Sequence, residues 1–136
     1  MFETFEHTAD LGLRIRAGDW KGLLEEAARA MFSVIVANLD GVRPVEEFVV
    51  RVNAAQPDDL LHDWLSELLF RFDTQRLLLC QFDVQAADGS LIATVRGEPI
   101  DERRHQLGME IKAITYHGLK VEHNATGWLA EVIVDI

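Results

Sequence analysis

Two aspartates and the end of the chain supply three carboxylates that could hold a metal ion. Asp10 lies in a short polar break between two alternating stretches, and Asp135 is followed directly by Ile136 with its α-carboxylate. The residues before Ile136 are apolar and strand-forming, so we expect the C-terminal residues to pack against the rest of the fold. The Asp135 carboxylate and the Ile136 α-carboxylate are then separated by about the rise of one strand residue, ~3.4 Å. Fixed carboxylates this close repel each other unless a cation lies between them. We therefore hypothesise that Asp10, Asp135 and Ile136 bind a hard divalent cation such as Ca²⁺ or Mg²⁺, which prefers oxygen ligands.

Residues 101–121 concentrate basic side chains in an otherwise acidic chain. Arg103, Arg104, His105 and Lys112 form the densest basic group. Arg104 and His105 are candidates for contact with a nucleotide or a partner protein. Lys112 is a third candidate, because it interrupts an apolar run that predicts a strand. The alternative is a solvated corner in which the arginines pair with neighbouring acidic residues, since surface ion pairs are common and contribute only ~0–1 kcal/mol.

The histidines favour structural roles over zinc binding. His7, His105 and His117 form no HxxxH pair, and the chain contains no CxxC or HExxH pattern. We interpret His7 and His117 as residues that support the metal ligands. Asp10 also has a simpler interpretation as a turn or N-cap aspartate, because aspartates are common in turns. No nucleophile elbow and no glycine-rich phosphate cradle is present in the sequence, which argues against a Ser-His-Asp hydrolase and a nucleotide-binding loop.

Hydrophobic periodicity predicts the elements that position these residues. Two helices follow the i, i+3, i+4 rule. The first begins after the N-cap candidate Asp19 and ends near residues 37–41, and the second begins at Gln56-Pro57 and extends at least to Phe72. Strands are predicted at residues 2–7, 11–15, 45–52, 77–86, 91–97, 113–122 and 128–135. Asp88-Gly89 predicts a hairpin turn, because the turn needs a positive φ.

The order of these elements indicates the fold class. Strand pairs alternate with single amphipathic helices, and each helix has only one apolar face to cover. We predict an α+β fold with a mixed, mainly antiparallel β-sheet and two long helices packed on one face. The 136 residues are predicted to form a single domain over 1–136. We expect a monomer, since the two helix faces are covered within the chain.

Composition and charge limit the functions to be considered. Apolar residues make up 49% of the chain and charged residues 26%, which is ordinary for a soluble globular domain. No apolar run approaches the ~20 residues that span a bilayer and the N-terminus lacks a secretory pattern, so we expect a cytoplasmic location and no membrane contact. The lone Cys80 agrees with a reducing compartment. A net charge of −10 argues against strong direct binding to nucleic acid.

Taken together, these residues resemble the archease family. The matching motifs are Phe5-Glu6-His7-Thr8-Ala9-Asp10 with Gly12, Glu67-Leu68-Leu69-Phe70 leading into Asp73-Thr74, Arg104-His105 with Gly108, Glu110-Ile111-Lys112-Ala113-Ile114-Thr115-Tyr116-His117 with Leu119 and Val121, and Gly127-Trp128 through Val134-Asp135-Ile136. They cover essentially the whole chain and are specific only in combination. Gln75 stands where family members often carry a glutamate, so a carboxylate is lost at that position.

The resemblance implies an accessory protein rather than an enzyme. Archeases activate the RtcB-type RNA ligase of tRNA splicing and RNA repair by promoting guanylylation of the ligase's active-site histidine, so that the ligase turns over repeatedly. The family's metal site corresponds to Asp10, Asp135 and Ile136, with Ca²⁺ as the expected ion and Mg²⁺ or Mn²⁺ as alternatives. The family's important basic position corresponds to Arg104 or Lys112.

Two other functions stay open. The first is a chaperone-like modulator of RNA-modifying enzymes such as tRNA methyltransferases, which would protect its partners without using the carboxylates. The second is an independent metal-dependent hydrolase. The lack of a recognisable base and nucleophile near the proposed ligands argues against it.

Overall fold

The computed structural model describes residues 1–7 and 10–136, and two helices and eight strands are assigned there. The helices are α1 (Trp20–Ile35) and α2 (Pro57–Gln75). The strands are β1 (Phe2–His7), β2 (Asp10–Ala17), β3 (Glu46–Asn53), β4 (Leu77–Ala87), β5 (Ser90–Pro99), β6 (Ala113–Ile114), β7 (Lys120–Asn124) and β8 (Gly127–Asp135). The remaining residues of the predicted break between β1 and β2, Thr8 and Ala9, lie outside the described residues.

The strands form two antiparallel sheets. A five-stranded sheet has the order β1-β2-β8-β6, with β7 also pairing with β8, and a three-stranded sheet has the order β3-β5-β4. The α+β class with two long helices is confirmed. The structure adds that the strands divide into two sheets and that every pair between the described strands is antiparallel. The β4–β5 hairpin turns at Gly89 with a φ of 73°, as its Asp-Gly sequence predicts.

The helices cover the apolar faces of the sheets and enclose one core. Trp64 of α2 is fully buried, and its indole N–H donates to the carbonyl of Leu24 in α1 at 2.9 Å. Asp19 caps α1 as predicted, because its side chain accepts from the Gly22 amide at 2.7 Å. Within the described residues, neither helix is long and apolar enough to span a bilayer.

The final hairpin differs from its prediction. The strand predicted over residues 113–122 is divided into β6 and β7 by a turn at residues 115–119. Gly118 has a φ of 68°, a conformation that glycine adopts without strain, and the Leu119 amide donates to the Tyr116 carbonyl at 3.2 Å. A Cβ on Gly118 would lie 3.4 Å from the side chain of Ile133, so the 115–119 turn covers part of the helix-free face of the five-stranded sheet.

Candidate functional site

Strand pairing brings His7, Asp10 and Asp135 into one row across the five-stranded sheet. His7 pairs with Asp10 across β1 and β2, and Leu11 pairs with Val134 across β2 and β8. Extending the second register by one residue sets Asp10 opposite Asp135. Opposed side chains on antiparallel strands have Cβ atoms about 4.5–5.5 Å apart, so from this extended register we expect the two carboxylates to lie side by side. We call these three residues the acidic row.

The acidic row lies on the face of the sheet that no helix covers. Successive side chains of a strand point to opposite faces. Leu13 and Val134 are buried against the helices, so Asp10 and Asp135, each at an odd spacing from them along its strand, point the other way. The side chains of His7 and Asp10 are both partly exposed, which makes the row accessible from solvent.

Phe5 and Gly12 hold β1 in place beside the row. The two residues pair in register, and the Phe5 ring lies directly over Gly12, where a Cβ would collide with it. The guanidinium of Arg14 lies 4.7 Å from the centre of the same ring. It also donates to Glu3 at 2.9 Å and to Glu131 at 2.9 Å, which joins β1, β2 and β8. These contacts explain the Phe and Gly of the first motif as residues that fix the strand register of the site.

A cleft of about 600 Å³ opens at the same end of the sheet. Asp10, His7, Met109 and Ile136 are among its lining residues, with Thr4, Phe5, Glu6 and Leu11. Asp135 does not line the cleft, but it precedes Ile136 and lies opposite Asp10. Strand pairing therefore brings the three predicted metal ligands to one place, although they come from both ends of the chain.

The donor chemistry of this place fits a hard divalent cation. The side chains of Asp10 and Asp135 and the main chain of Ile136 offer oxygen ligands only, the type that Ca²⁺ and Mg²⁺ prefer. Residues 1–7 and 10–136 contain no group of three His, Cys, Asp or Glu side chains that could hold a metal. The predicted set contains only two such side chains, so main-chain oxygen would have to supply the rest.

His7 adds a second indication that a further group belongs beside Asp10. Its Nδ1 is buried, lies 4.0 Å from Asp10 Oδ2, and has no hydrogen-bond partner among the described residues. A buried polar atom without a partner is unfavourable, so this position favours binding of another polar group. The ring of His117 packs edge-on against His7 with 5.3 Å between the ring centres. The two histidines predicted to support the ligands therefore lie together, and their role stays a prediction.

Arg104 and His105 belong to a different group, an ion-pair network around the buried Glu98. Arg104 donates to one carboxylate oxygen of Glu98, and its Nε lies 3.7 Å from Asp101 Oδ2. His105 Nδ1 accepts from the Asp101 amide at 2.9 Å, so the ring proton resides on Nε2, which donates to Glu98 at 3.2 Å. The side chain of His105 is completely buried. It cannot touch a partner in this conformation, and its contribution is to position Glu98 and Arg104.

The network also sets the charge of Glu98. Burial alone would raise the pKa of Glu98, but hydrogen bonds from the Arg43 amide, His105 and Arg104 outweigh burial and hold that pKa below its usual value. Arg104 keeps 30% of its side chain exposed and can still contact a partner at the surface. Sequence reasoning missed Glu98, because its only signal is a carboxylate at the end of a predicted strand.

Residues 106–109, which we call the strap, connect this network to the cleft. The amides of Gly108 and Met109 donate at 2.8 and 2.9 Å to carbonyls in the last turn of α1. A Cβ on Gly108 would collide with the carbonyl oxygen of Val34, so the strap needs glycine there. Met109 and Leu107 leave 51% and 41% of their surfaces exposed, and Met109 lines the cleft. The strap therefore presents apolar side chains beside the acidic row.

Lys112 is the basic candidate that the structure brings to the predicted ligands. Its amide donates to the Asp135 carbonyl at 2.7 Å, just before β6 pairs with β8. The residue is exposed, and its ammonium forms no ion pair with the described residues. Lys112 thus contacts Asp135 through its main chain, whereas Arg104 and His105 bond to Glu98 and Asp101.

The fold and the site define a small α+β protein whose carboxylates and solvent-exposed apolar side chains meet at one end of a sheet. Sequence comparison identifies the family of this protein over nearly the full length of the chain. The model of the Archease protein family (MTH1598/TM1083) matches residues 2–136. The chain therefore belongs to the archease family, as its motifs indicate.

Individual relatives agree with this assignment. The chain is 41% identical to protein archease of Methanopyrus kandleri over 139 residues, with 99% of each protein covered. It is 37% identical to protein archease of Methanosarcina acetivorans, covering 99% of this chain and 95% of that protein.

Two solved structures share the fold. The solution structure of Methanobacterium thermoautotrophicum protein 1598 is similar with a TM-score of 0.86 and 37% identity, over 99% of this chain and 98% of that one. The crystal structure of a Thermotoga maritima archease, described as a possible chaperone, is similar with a TM-score of 0.69 and 25% identity, over 100% of this chain and 98% of that one.

Proposed function

We propose that this archease activates an RtcB-type RNA ligase and that a divalent cation bound at the acidic row is required. The observation that supports the proposal is the pairing of Leu11 with Val134, because extending this register by one residue sets Asp10 opposite Asp135, with Ile136 in the adjoining cleft. Two carboxylates held side by side repel each other, and a cation between them removes that repulsion. Ca²⁺ is the proposed ion, with Mg²⁺ and Mn²⁺ as alternatives.

The proposed reaction is one in which charge placement matters. When bound, the cation would neutralise negative charge on the nucleotide phosphates. Nucleotidyl transfer to a histidine depends on such neutralisation. Asp10, Asp135 and Ile136 would hold it, and His7 would orient the carboxylate of Asp10. Lys112 lies beside Asp135 with an exposed ammonium that can pair with a phosphate of the nucleotide or with an acidic group of the ligase.

Partner binding needs a surface as well as a site. Leu107 and Met109 supply exposed apolar area on the strap, and Met109 lines the cleft. Arg104, two residues before the strap, supplies a partly exposed guanidinium. Interfaces between proteins commonly bury apolar side chains at their centre, with Met and Arg enriched. We therefore place the ligase contact on the strap side of the acidic row.

The test is multiple-turnover RNA ligation by a purified RtcB-type ligase with GTP and Mn²⁺, with and without catalytic amounts of the archease. We expect faster turnover with the wild-type protein and loss of the stimulation, by about tenfold or more, in Asp10→Asn and Asp135→Asn. Asp88→Asn, which changes an exposed aspartate in the β4–β5 turn, is the matched control and should stimulate normally. Stimulation that survives loss of Asp10 and Asp135 together would contradict the cation mechanism.

A chaperone-like role is the second candidate function. The exposed apolar residues of the strap favour it, and the Thermotoga relative is described as a possible chaperone. It predicts that the archease slows thermal aggregation of an RNA-modifying enzyme such as a tRNA methyltransferase. In that case Asp135→Asn would protect as well as the wild-type protein, whereas Met109→Ser together with Leu107→Ser would protect less. The two functions are distinguished by their sensitive residues: ligase stimulation should depend on Asp10 and Asp135, and protection from aggregation on Leu107 and Met109.

A further inference from the structure

His62 fastens α2 to the segment that flanks the acidic row. Its side chain is only 17% exposed. Its Nε2 lies 3.1 Å from the carbonyl oxygen of Ile114 in β6, and its Nδ1 lies 3.0 Å from Asp63 Oδ1. The ring also stacks on Tyr116, with 3.9 Å between the ring centres and 15° between the planes. One histidine of α2 thus holds both β6 and the 115–119 turn.

Tyr116 strengthens the same attachment from the other side. Desolvation and a hydrogen bond with Asp59 of α2 raise the pKa of the Tyr116 hydroxyl. The ring of Tyr116 therefore stacks on His62 while its hydroxyl faces the carboxylate of Asp59, one turn earlier in the helix. We call His62, Tyr116 and Asp59 the clasp.

β6 needs such an attachment because it is very short. The strand has two residues, and its pairing with β8 is extended by the amides of Lys112 and Thr115, which donate to β8 carbonyls at 2.7 and 3.1 Å, and by the Thr115 hydroxyl, which donates to the Ile133 carbonyl at 3.0 Å. Strands are usually three to ten residues long, and so short a pairing is weak by itself. The clasp holds β6 from the side opposite β8.

Contacts made by β6 and the 115–119 turn connect the clasp to both aspartates of the acidic row. Ala113 of β6 pairs directly with Asp135. His117 follows Tyr116 in the turn, and its ring packs against His7, whose Nδ1 lies 4.0 Å from the Asp10 carboxylate. A shift of the turn would therefore move the neighbours of Asp10 and Asp135 together.

We propose that His62 is a positioning residue for the divalent-cation site: by fastening β6 and the 115–119 turn to α2, it fixes the surroundings of the acidic row. The inference rests on the proposed cation site. His62 touches neither aspartate, so its effect on the cation is exerted through β6 and through His117.

Calorimetric titration with Ca²⁺ tests the inference on the intact chain. His62→Phe keeps a ring to stack on Tyr116 and removes both hydrogen bonds. We expect it to weaken Ca²⁺ binding about tenfold, in the range found when residues behind metal ligands are changed. The matched control is His123→Phe: His123 also stacks on an aromatic ring, Trp128 at 4.2 Å, but at the opposite end of β8. It should bind Ca²⁺ like the wild-type protein.

Two further measurements make the outcome decisive. The unfolding temperature of His62→Phe should stay near that of the wild-type protein, so that the lost affinity reflects positioning and not global unfolding. In metal-free protein, the Lys112 and Thr115 amides should exchange with deuterium faster in His62→Phe than in wild type or His123→Phe. If His62→Phe does not fold, Tyr116→Leu tests the same clasp at a more exposed residue.

The results separate the inference from the function on which it rests. The role of His62 alone would be overturned if the wild-type protein bound Ca²⁺, Asp135→Asn did not, and both His62→Phe and Tyr116→Leu bound Ca²⁺ as tightly as wild type. Wild-type protein that binds no Ca²⁺, Mg²⁺ or Mn²⁺ would overturn the cation site itself, and the role of His62 with it.

Discussion

At the scale of single residues, the buried carboxylate of Glu98 accepts hydrogen bonds from His105 and Arg104. Glu98 and His105 are buried next to each other, and the hydrogen bond to the Asp101 amide fixes which ring nitrogen of His105 donates. Arg104 balances the charge of Glu98 at the edge of solvent. His105, which the sequence predicts as a surface contact, therefore acts by positioning Glu98 and Arg104. Arg104 is the residue of this ion-pair network that reaches the surface.

The depressed pKa of Glu98 predicts how stability depends on pH. A carboxyl group whose pKa is lower in the folded than in the unfolded state stabilises the fold above its unfolded value, here 4.5, and that contribution is lost as the pH falls through the folded value. Glu98→Gln should lower the free energy of unfolding at pH 7 by about 1–3 kcal/mol and lose less stability than wild type below pH 4.5.

Denaturant titration at neutral and acidic pH measures this difference. Glu47→Gln is the matched control, because Glu47 pairs with Arg96 at the exposed surface of β3 and such pairs contribute only ~0–1 kcal/mol. Parallel pH profiles for wild type and Glu98→Gln would show that Glu98 does not couple protonation to folding.

At the scale of elements, short segments are positioned by longer ones. The strap has no regular structure of its own, but its amides complete the hydrogen bonding of the last turn of α1. β6 is in the same situation, since α2 and β8 hold it from two sides. The parts of the site with the least local structure are therefore attached to the most regular elements of the fold.

Gly108 tests the attachment of the strap. Gly108→Ala introduces a Cβ that collides with the Val34 carbonyl, so the strap must move away from α1. We expect a loss of about 1–3 kcal/mol in the free energy of unfolding, measured by denaturant titration, and weaker stimulation of the ligase because Met109 is displaced. Gly18→Ala, where a Cβ would meet nothing within 4 Å, should stay within about 0.5 kcal/mol of wild type. Equal stability of the two variants would mean that the strap is not held by this close contact.

At the scale of the whole molecule, charge determines the kind of partner. The net charge of −10 disfavours direct binding to RNA but attracts a protein whose own surface is basic, as that of an RNA-binding enzyme is. This complementarity supports the proposal that the protein docks on an RNA ligase. On so acidic a protein, the exposed Lys112 and the partly exposed Arg104 differ from most of their surroundings in carrying a positive charge.

Salt dependence follows from the same charge. We expect the association rate constant of this archease with an RtcB-type ligase, measured by stopped-flow fluorescence, to fall about tenfold or more between 50 and 300 mM NaCl, because added ions screen the attraction. The dissociation rate should change much less, since it depends on the close contacts of the strap. An association rate that does not change with salt would argue against docking steered by charge.

The sequence by itself determined the elements with strong local signals. Both helices, the Asp19 cap and the turn at Gly89 follow from periodicity, capping and backbone preferences, which depend on residues close together in the chain. The family motifs and the choice of Asp10, Asp135 and Ile136 as candidate ligands also came from the sequence. Strand pairing then brought the candidates together, and their role as ligands stays a prediction.

The tertiary structure alone decided the features that depend on distant partners. The division of the strands into two sheets, the break after β6, the burial of His105 on Glu98 and the clasp of His62 on Ile114 all join residues from different elements. Whether a polar side chain is buried depends on which distant group satisfies its hydrogen bonds, and periodicity along one element does not contain that information. For this reason the sequence indicated which residues could act, and the packing decided which of them can reach the site.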